Sequence, residues 1–182
     1  MALVKPIIFQ VAGYQNSGKT TFILKLIEAL KNEGLKTVTI KHHGHGGRPD
    51  VIPQKDSSRH LEAGALAALV EGDGRLVLQA DESFLTFDEQ IRLMNFFQPD
   101  IILIEGHKQK PYPKLLILRN EHDLTLLSHI TNIKAVIVWN MALMDMVRAH
   151  AVVPIFHIHE EMAVTQISKE LTMLVHQLDE KS

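Results

Sequence analysis

Residues 13–20, Gly13-Tyr14-Gln15-Asn16-Ser17-Gly18-Lys19-Thr20, match the pattern G-x-x-x-x-G-K-[ST]. The spacing follows from phosphate chemistry. Gly13 and Gly18 let the backbone curl around an anion with its N–H groups turned inward. Those donors open a helix, whose start offers roughly half a unit of positive charge. Lys19 can reach the β- and γ-phosphates of a nucleotide and the Thr20 hydroxyl can ligate Mg²⁺. A phosphate loop also needs an acid at the end of a second apolar strand. Glu105 in IILIEGHK has that place, with Gly106 behind it to let the backbone pass close to a ligand. A strand-end glutamate facing solvent is the alternative. Asp56, followed by Ser57, is either another metal ligand or the N-cap of a short helix.

His42, His43 and His45 lie beside Lys41 and Arg48. They read as a solvated loop, as a phosphate-facing loop or as a transition-ion site, and the residues alone leave all three open. His107 and Lys108 could touch the γ-phosphate or a second substrate. Met141, Met144 and Met146 suit helix packing better than a cofactor box. For base recognition the sequence offers little. The [NT]-K-x-D tetrapeptide that reads guanine is absent, and Asn140 stands where a base-reading loop belongs without choosing between guanine and adenine.

The elements around these residues are legible. VKPIIFQVA at 4–12 is an apolar, β-branched run bounded by Gly13, and it predicts a buried strand. Phe22, Leu26, Ile27 and Leu30 fall at helical spacing over 18–33, and Gly34 stops that helix. LKTVTI at 35–40 predicts the next strand, KHHGHGGRPDVIP a loop, and 56–65 a short helix. ALAALVEG and RLVLQA flank Gly72-Asp73-Gly74 and predict a hairpin. FDEQIRLMNFF predicts an amphipathic helix with Thr86 as N-cap and Pro99 beyond its end. DIILIEG, KLLILR, NIKAVIVW and PIFHI predict further strands, and 160–178 a closing helix. Alternation of strand and helix specifies an α/β fold of the P-loop NTPase type. Its mostly parallel sheet is flanked by helices and carries an inserted hairpin, in one nucleotide-binding domain over 1–182.

Composition agrees with that reading. A chain of 182 residues, 46% of them hydrophobic, can bury a core of about 70% of its unfolded surface. Zero cysteines exclude disulfides, thiolate zinc sites and cysteine nucleophiles, and fit a reducing, cytoplasmic setting. No stretch approaches the roughly 20 apolar residues of a membrane span, and the N-terminus reads as a first strand instead of a signal peptide. A net charge of −2 gives no ground for nucleic-acid binding. Positive charge gathers locally, at +2 over residues 41–60 and +2 over 105–122, while 160–182 carries −3.

GYQNSGKTT, TIKHHGHG, KDSSRHLEAGA and LIEGHK together resemble the molybdopterin-guanine dinucleotide biosynthesis protein B (MobB) family over most of residues 5–110. The resemblance implies a GTP-binding P-loop protein with at most slow GTPase activity. It implies a homodimer that assists the molybdopterin guanylyltransferase and other proteins of molybdenum cofactor biosynthesis. By that analogy Gly13, Tyr14, Gln15, Asn16, Ser17, Gly18, Lys19, Thr20 and Thr21 hold the phosphates of GTP. Thr20, Asp56 and Glu105 would manage Mg²⁺, and His42, His43, Arg48 and Lys108 would line the site. Edge pairing through the 66–80 hairpin is one route to the dimer. The competing readings are a small-molecule P-loop kinase or ligase and a metallochaperone NTPase. The first lacks an arginine-rich lid between the helix at 86–97 and the strand at 113, and the second lacks cysteines.

Overall fold

The computed structural model describes residues 5–42, 56–80 and 85–180, with the backbone alone at 56–58 and 179. Along the chain run β1 (Ile7–Gly13), α1 (Lys19–Asn32), β2 (Thr37–Lys41), α2 (Asp56–Glu62), β3 (Ala67–Gly72), β4 (Arg75–Ala80) and α3 (Phe87–Asn95). There follow β5 (Ile101–Glu105), β6 (Lys114–Leu118), α4 (Thr125–His129), β7 (Ile133–Val138), α5 (Met141–Arg148), β8 (Ile155–His157) and α6 (Met162–Asp179). The sequence reading takes 1–182 as one P-loop domain. In the structure, the described residues within 1–44 and 94–182 build one compact unit, and those within 45–93 build another.

The first unit holds a six-stranded sheet in the order β2-β5-β1-β6-β7-β8, every pairing parallel. Parallel pairing forces each connection to cross a sheet face, so helices cover it and its inner strands are apolar on both sides. β5 and β6 are buried along their whole lengths. On one face, Leu26 and Leu30 of α1 and Ile167 and Leu171 of α6 pack with Val11, Ile101, Leu115 and Ile117. On the other, Leu126 of α4 and Leu143 and Val147 of α5 pack with Ala12, Leu116, Leu118 and Val136. The alternation of Leu115, Leu116, Ile117 and Leu118 between these two cores is the two-residue period of a strand. Each such fully buried side chain is worth about 1.5–3 kcal/mol relative to exposure.

Local signals end α1. Gly34 adopts φ +80°, its N–H donates to the Lys31 carbonyl (3.0 Å), and the Leu35 N–H donates to that of Leu30 (3.1 Å), the two bonds of a Schellman C-cap. One residue departs from its expected place. Lys114, counted in the basic block at 105–122, is fully buried in β6. Its ammonium donates to the carbonyls of Lys110 (2.6 Å) and Thr131 (2.9 Å), and burial pushes its pKa down. It pins two loops and presents no charge to a ligand.

In the second unit β3 and β4 form a separate two-stranded antiparallel sheet. Gly72 pairs with Arg75, so the turn is Asp73-Gly74 alone, with φ +49° and +72°, the conformation of a two-residue type I′ turn. α3 opens with Thr86 as its cap, as its sequence predicts. The Glu89 N–H donates to Thr86 Oγ1 (3.3 Å), and the Glu89 carboxylate accepts from the Thr86 amide (2.7 Å) and hydroxyl (2.7 Å). Those two bonds, the hydroxyl's first, hold the Glu89 pKa below its ordinary value.

Candidate functional site

In an open parallel sheet, ligands bind beyond the carboxyl ends of the strands, where the connections diverge. β1 ends at Gly13 between β5 and β6, so its loop opens at that place. Gly13 (φ +152°), Asn16 (φ +55°) and Gly18 (φ +95°) are left-handed and bend residues 13–18 into a hollow turn. A methyl group at Gly13 would stand 2.6 Å from the Ile117 carbonyl oxygen, so only glycine fits beside β6. Gly18 caps α1 without a side-chain bond, and the first turn of that helix holds no acid. The leading amides of a 14-residue helix are thereby left to an anion. Ser17 is fully buried, and its Oγ has no partner among the described residues.

Lys19 folds back over the loop, its Nζ donating to the Tyr14 carbonyl (2.6 Å). Burial, aided by the like charges of Lys108 and Lys41, lowers its pKa, while Glu105 acts the other way. A phosphate chain would relieve that strain by supplying the missing negative charge. Beside it the Thr20 hydroxyl donates to Glu105 Oε1 (2.7 Å), and the Lys41 ammonium stands 3.3 Å from both oxygens. Glu105 is 8% exposed, so the solvent-facing alternative for it fails. The donor set suits magnesium. Both atoms are hard oxygens, and octahedral coordination at about 2.0–2.1 Å sets neighbouring ligands roughly 2.9 Å apart.

The turn after Glu105 is held from below by a residue that motif reading missed. Gln10 is fully buried in β1, and its Nε2 donates to the carbonyls of Gly106 (2.5 Å) and His107 (2.6 Å). A lone glutamine inside the apolar run IIFQVA was the available signal. The turn carries φ +86° at Gly106 and +48° at His107. The close approach that Gly106 permits is to His42, whose Cβ would lie 3.2 Å from an added methyl. The His42 and His107 rings lie with centroids 4.6 Å apart and planes tilted by 38°, and Lys108 Nζ lies 4.0 Å from the centre of the Tyr14 ring. His42, Lys108 and the P-loop thus meet at one edge, where Gln15, Asn16, Thr20 and Thr21 are exposed. Asp56 begins α2 in the second unit, and its side chain lies outside the described residues, as do His43, His45 and Arg48.

The far flank of the loop is braced by Trp139, also unread in the sequence. Its indole N–H donates to the Ser17 carbonyl (3.0 Å), its ring faces the Arg119 guanidinium (5.1 Å), and its own carbonyl contacts His157 Nε2 (3.1 Å). Asn140 is a helix cap: its Oδ1 accepts the Leu143 N–H (2.9 Å) at the start of α5. Among the described residues, no group of three or more His, Cys, Asp or Glu could hold a metal ion, and no helix is long and apolar enough to cross a membrane.

The family described as "Molybdopterin guanine dinucleotide synthesis protein B" matches residues 8–139, a span that includes the loop, Glu105 and Trp139. The chain belongs to the MobB family. A relative from Bacillus subtilis (strain 168), named "Probable molybdopterin-guanine dinucleotide biosynthesis adapter protein", is 41% identical over 173 residues, or 94% of this chain and 97% of its own. An Escherichia coli (strain K12) adapter protein of the same name, without the qualifier, is 34% identical over 112 residues, covering 60% of this chain and 63% of its own. Among solved structures, a crystal structure of Bacillus subtilis MobB superposes with a TM-score of 0.73 at 38% identity, over 88% of this chain and 95% of that one. The P-loop fold and the six-stranded sheet are thus those of the MobB family.

Proposed function

We propose that this chain binds Mg–GTP on the 13–20 loop and serves as an adapter in molybdopterin-guanine dinucleotide biosynthesis, working beside the guanylyltransferase. The observation that carries the reading is the convergence of Lys19, Lys41 and Lys108 on one open anion cradle, set against the carboxylate of Glu105. The amides of the loop and of the start of α1 bind and orient the phosphates, and Lys19 neutralises the charge between the β- and γ-phosphates. Thr20 and Glu105 would hold Mg²⁺, which when bound neutralises charge on the same phosphates. The family description, which names a guanine dinucleotide, favours guanine over adenine as the base.

Calorimetric titration with GTP and ATP, each with Mg²⁺, tests this directly. GTP is expected to bind at least tenfold tighter, a gap of about 1.4 kcal/mol. Equal affinity or a preference for ATP refutes the guanine assignment. Arg119 is engaged with Trp139, and an arginine finger elsewhere adds about 10³–10⁵ in rate. Hydrolysis by the isolated chain is therefore expected below about one turnover per second, and a faster rate would convert the adapter reading into an enzyme.

The hairpin supports a homodimer. Leu69, Val70, Leu76, Val77 and Leu78 lie on both of its faces at 42–57% exposure, and a two-stranded sheet with so much apolar surface in water is marginal by itself. Light scattering at tens of micromolar is expected to give twice the chain mass, and Val77→Asp to halve it. A monomeric parent protein would remove the dimer from the reading.

A further inference from the structure

Lys41 belongs to the anion cradle, and its ammonium also takes the same two oxygens that suit a divalent ion. It closes a triangle with Thr20 Oγ1 and Glu105 Oε1, at 3.3 Å from each, while those two are 2.7 Å apart. The position is set by the backbone. Lys41 is the last residue of β2 and pairs in register with Glu105 of β5, and the next residue's N–H donates to the Glu105 carbonyl (3.0 Å). The two side chains are therefore neighbours by sheet geometry. The energetics have one sign. Glu105 is nearly buried, and an uncompensated carboxylate there is costly, so a cation must accompany it. The Lys41 side chain is 56% exposed, free to swing on its stem toward a ligand at the mouth of the loop.

We propose that Lys41 is a tethered competitor of the divalent cation. The ammonium and the metal contend for the Thr20–Glu105 oxygen pair, and the metal prevails only when a terminal phosphate draws the ammonium off. Metal binding then becomes conditional on a triphosphate, and Lys41 becomes the group that separates triphosphate from diphosphate. The inference rests on the Mg–GTP reading above and gives Lys41 a second role within it.

The test has two arms, on the full chain and on Lys41→Met, Lys41→Gln and Lys41→Arg, each checked for folding by its melting curve. In the first, Mn²⁺ alone is titrated without nucleotide and followed by electron paramagnetic resonance. Lys41→Met and Lys41→Gln are expected to bind it about tenfold tighter than the parent, and Lys41→Arg no tighter. Equal binding by all four, or an equal gain in Lys41→Arg, overturns the competition. In the second, GTP and GDP are titrated with Mg²⁺, and the ratio of their affinities is expected to fall about tenfold in Lys41→Met. An unchanged ratio overturns the transfer to the terminal phosphate. Should no form bind nucleotide, the Mg–GTP reading is refuted, and the manganese arm still decides the competition by itself.

Discussion

Lys19→Met is expected to weaken binding of a nucleoside triphosphate by about two to four orders of magnitude and to leave the fold intact. Two charge-assisted hydrogen bonds to phosphate, at about 1.5–3 kcal/mol each, set that range. Methionine keeps the apolar stem and removes only the charge. The folded chain holds the Lys19 pKa below its ordinary value, chiefly through burial. A lysine depressed in this way costs stability: the cost is complete below its folded pKa and fades as pH rises toward the unfolded value near 10.5. The nucleotide-free variant should therefore melt no lower than its parent at neutral pH, and any advantage should shrink in alkali. Binding can be followed optically, because the single tryptophan of the chain, Trp139, is bonded to the loop through Ser17. Unchanged affinity in the variant would mean that the 13–20 loop is not the phosphate site.

Gly13→Ala is expected to cost about 2–6 kcal/mol of stability, a sum of roughly 1–3 for overpacking and 1–3 for a strained backbone. The new methyl would meet the Ile117 carbonyl at 2.6 Å and Ser17 Oγ at 2.7 Å, and φ there is +152°. The Ile117 oxygen belongs to the buried backbone of β6 and cannot step aside. Gly34→Ala is the control, since it has φ +80° but nothing within 4 Å of the added carbon. It should lose only the conformational share. Denaturant midpoints of the two variants measure the difference, and equal losses would show that contact with β6 is unimportant. Against a total of about 5–15 kcal/mol for a protein this size, the Gly13 variant approaches global unfolding.

Much of this was readable from residue types because phosphate chemistry and parallel sheets both write strong local signals. The apolar runs ending in Gly13 and Glu105 predicted β1 and β5, and Thr86 and Gly34 marked helix ends that the structure has. Less was legible where position depends on distant pairing. Gln10 and Lys114 look like interruptions in apolar strands. Their donors meet loop carbonyls as far as 17 and 97 residues away, distances no local period reports. α4 spans five residues, too few to display a helical period. Asn140 invited a base-reading role because its strand ends in the right place, whereas its side chain closes the first turn of α5. The six-stranded sheet is parallel throughout, and the hairpin forms a sheet of its own. The inserted hairpin was legible from its Asp73-Gly74 turn, whereas the order of the six parallel strands was not, because pairing between strands far apart in the chain leaves no local pattern.

The central place of β1 has a consequence for biosynthesis. Its partners in the sheet are β5 and β6, and Ile7 meets Ile101, roughly ninety positions later in the chain. At about 5–20 residues per second, the strand leaves the ribosome some 5–18 s before either neighbour exists. Through that interval its apolar faces have only local chain to shelter against, and the loop that follows has no Ile117 carbonyl to shape it. A nascent fragment ending before Ile101 holds all eight residues of the glycine-lysine motif and neither of the strands that give it form.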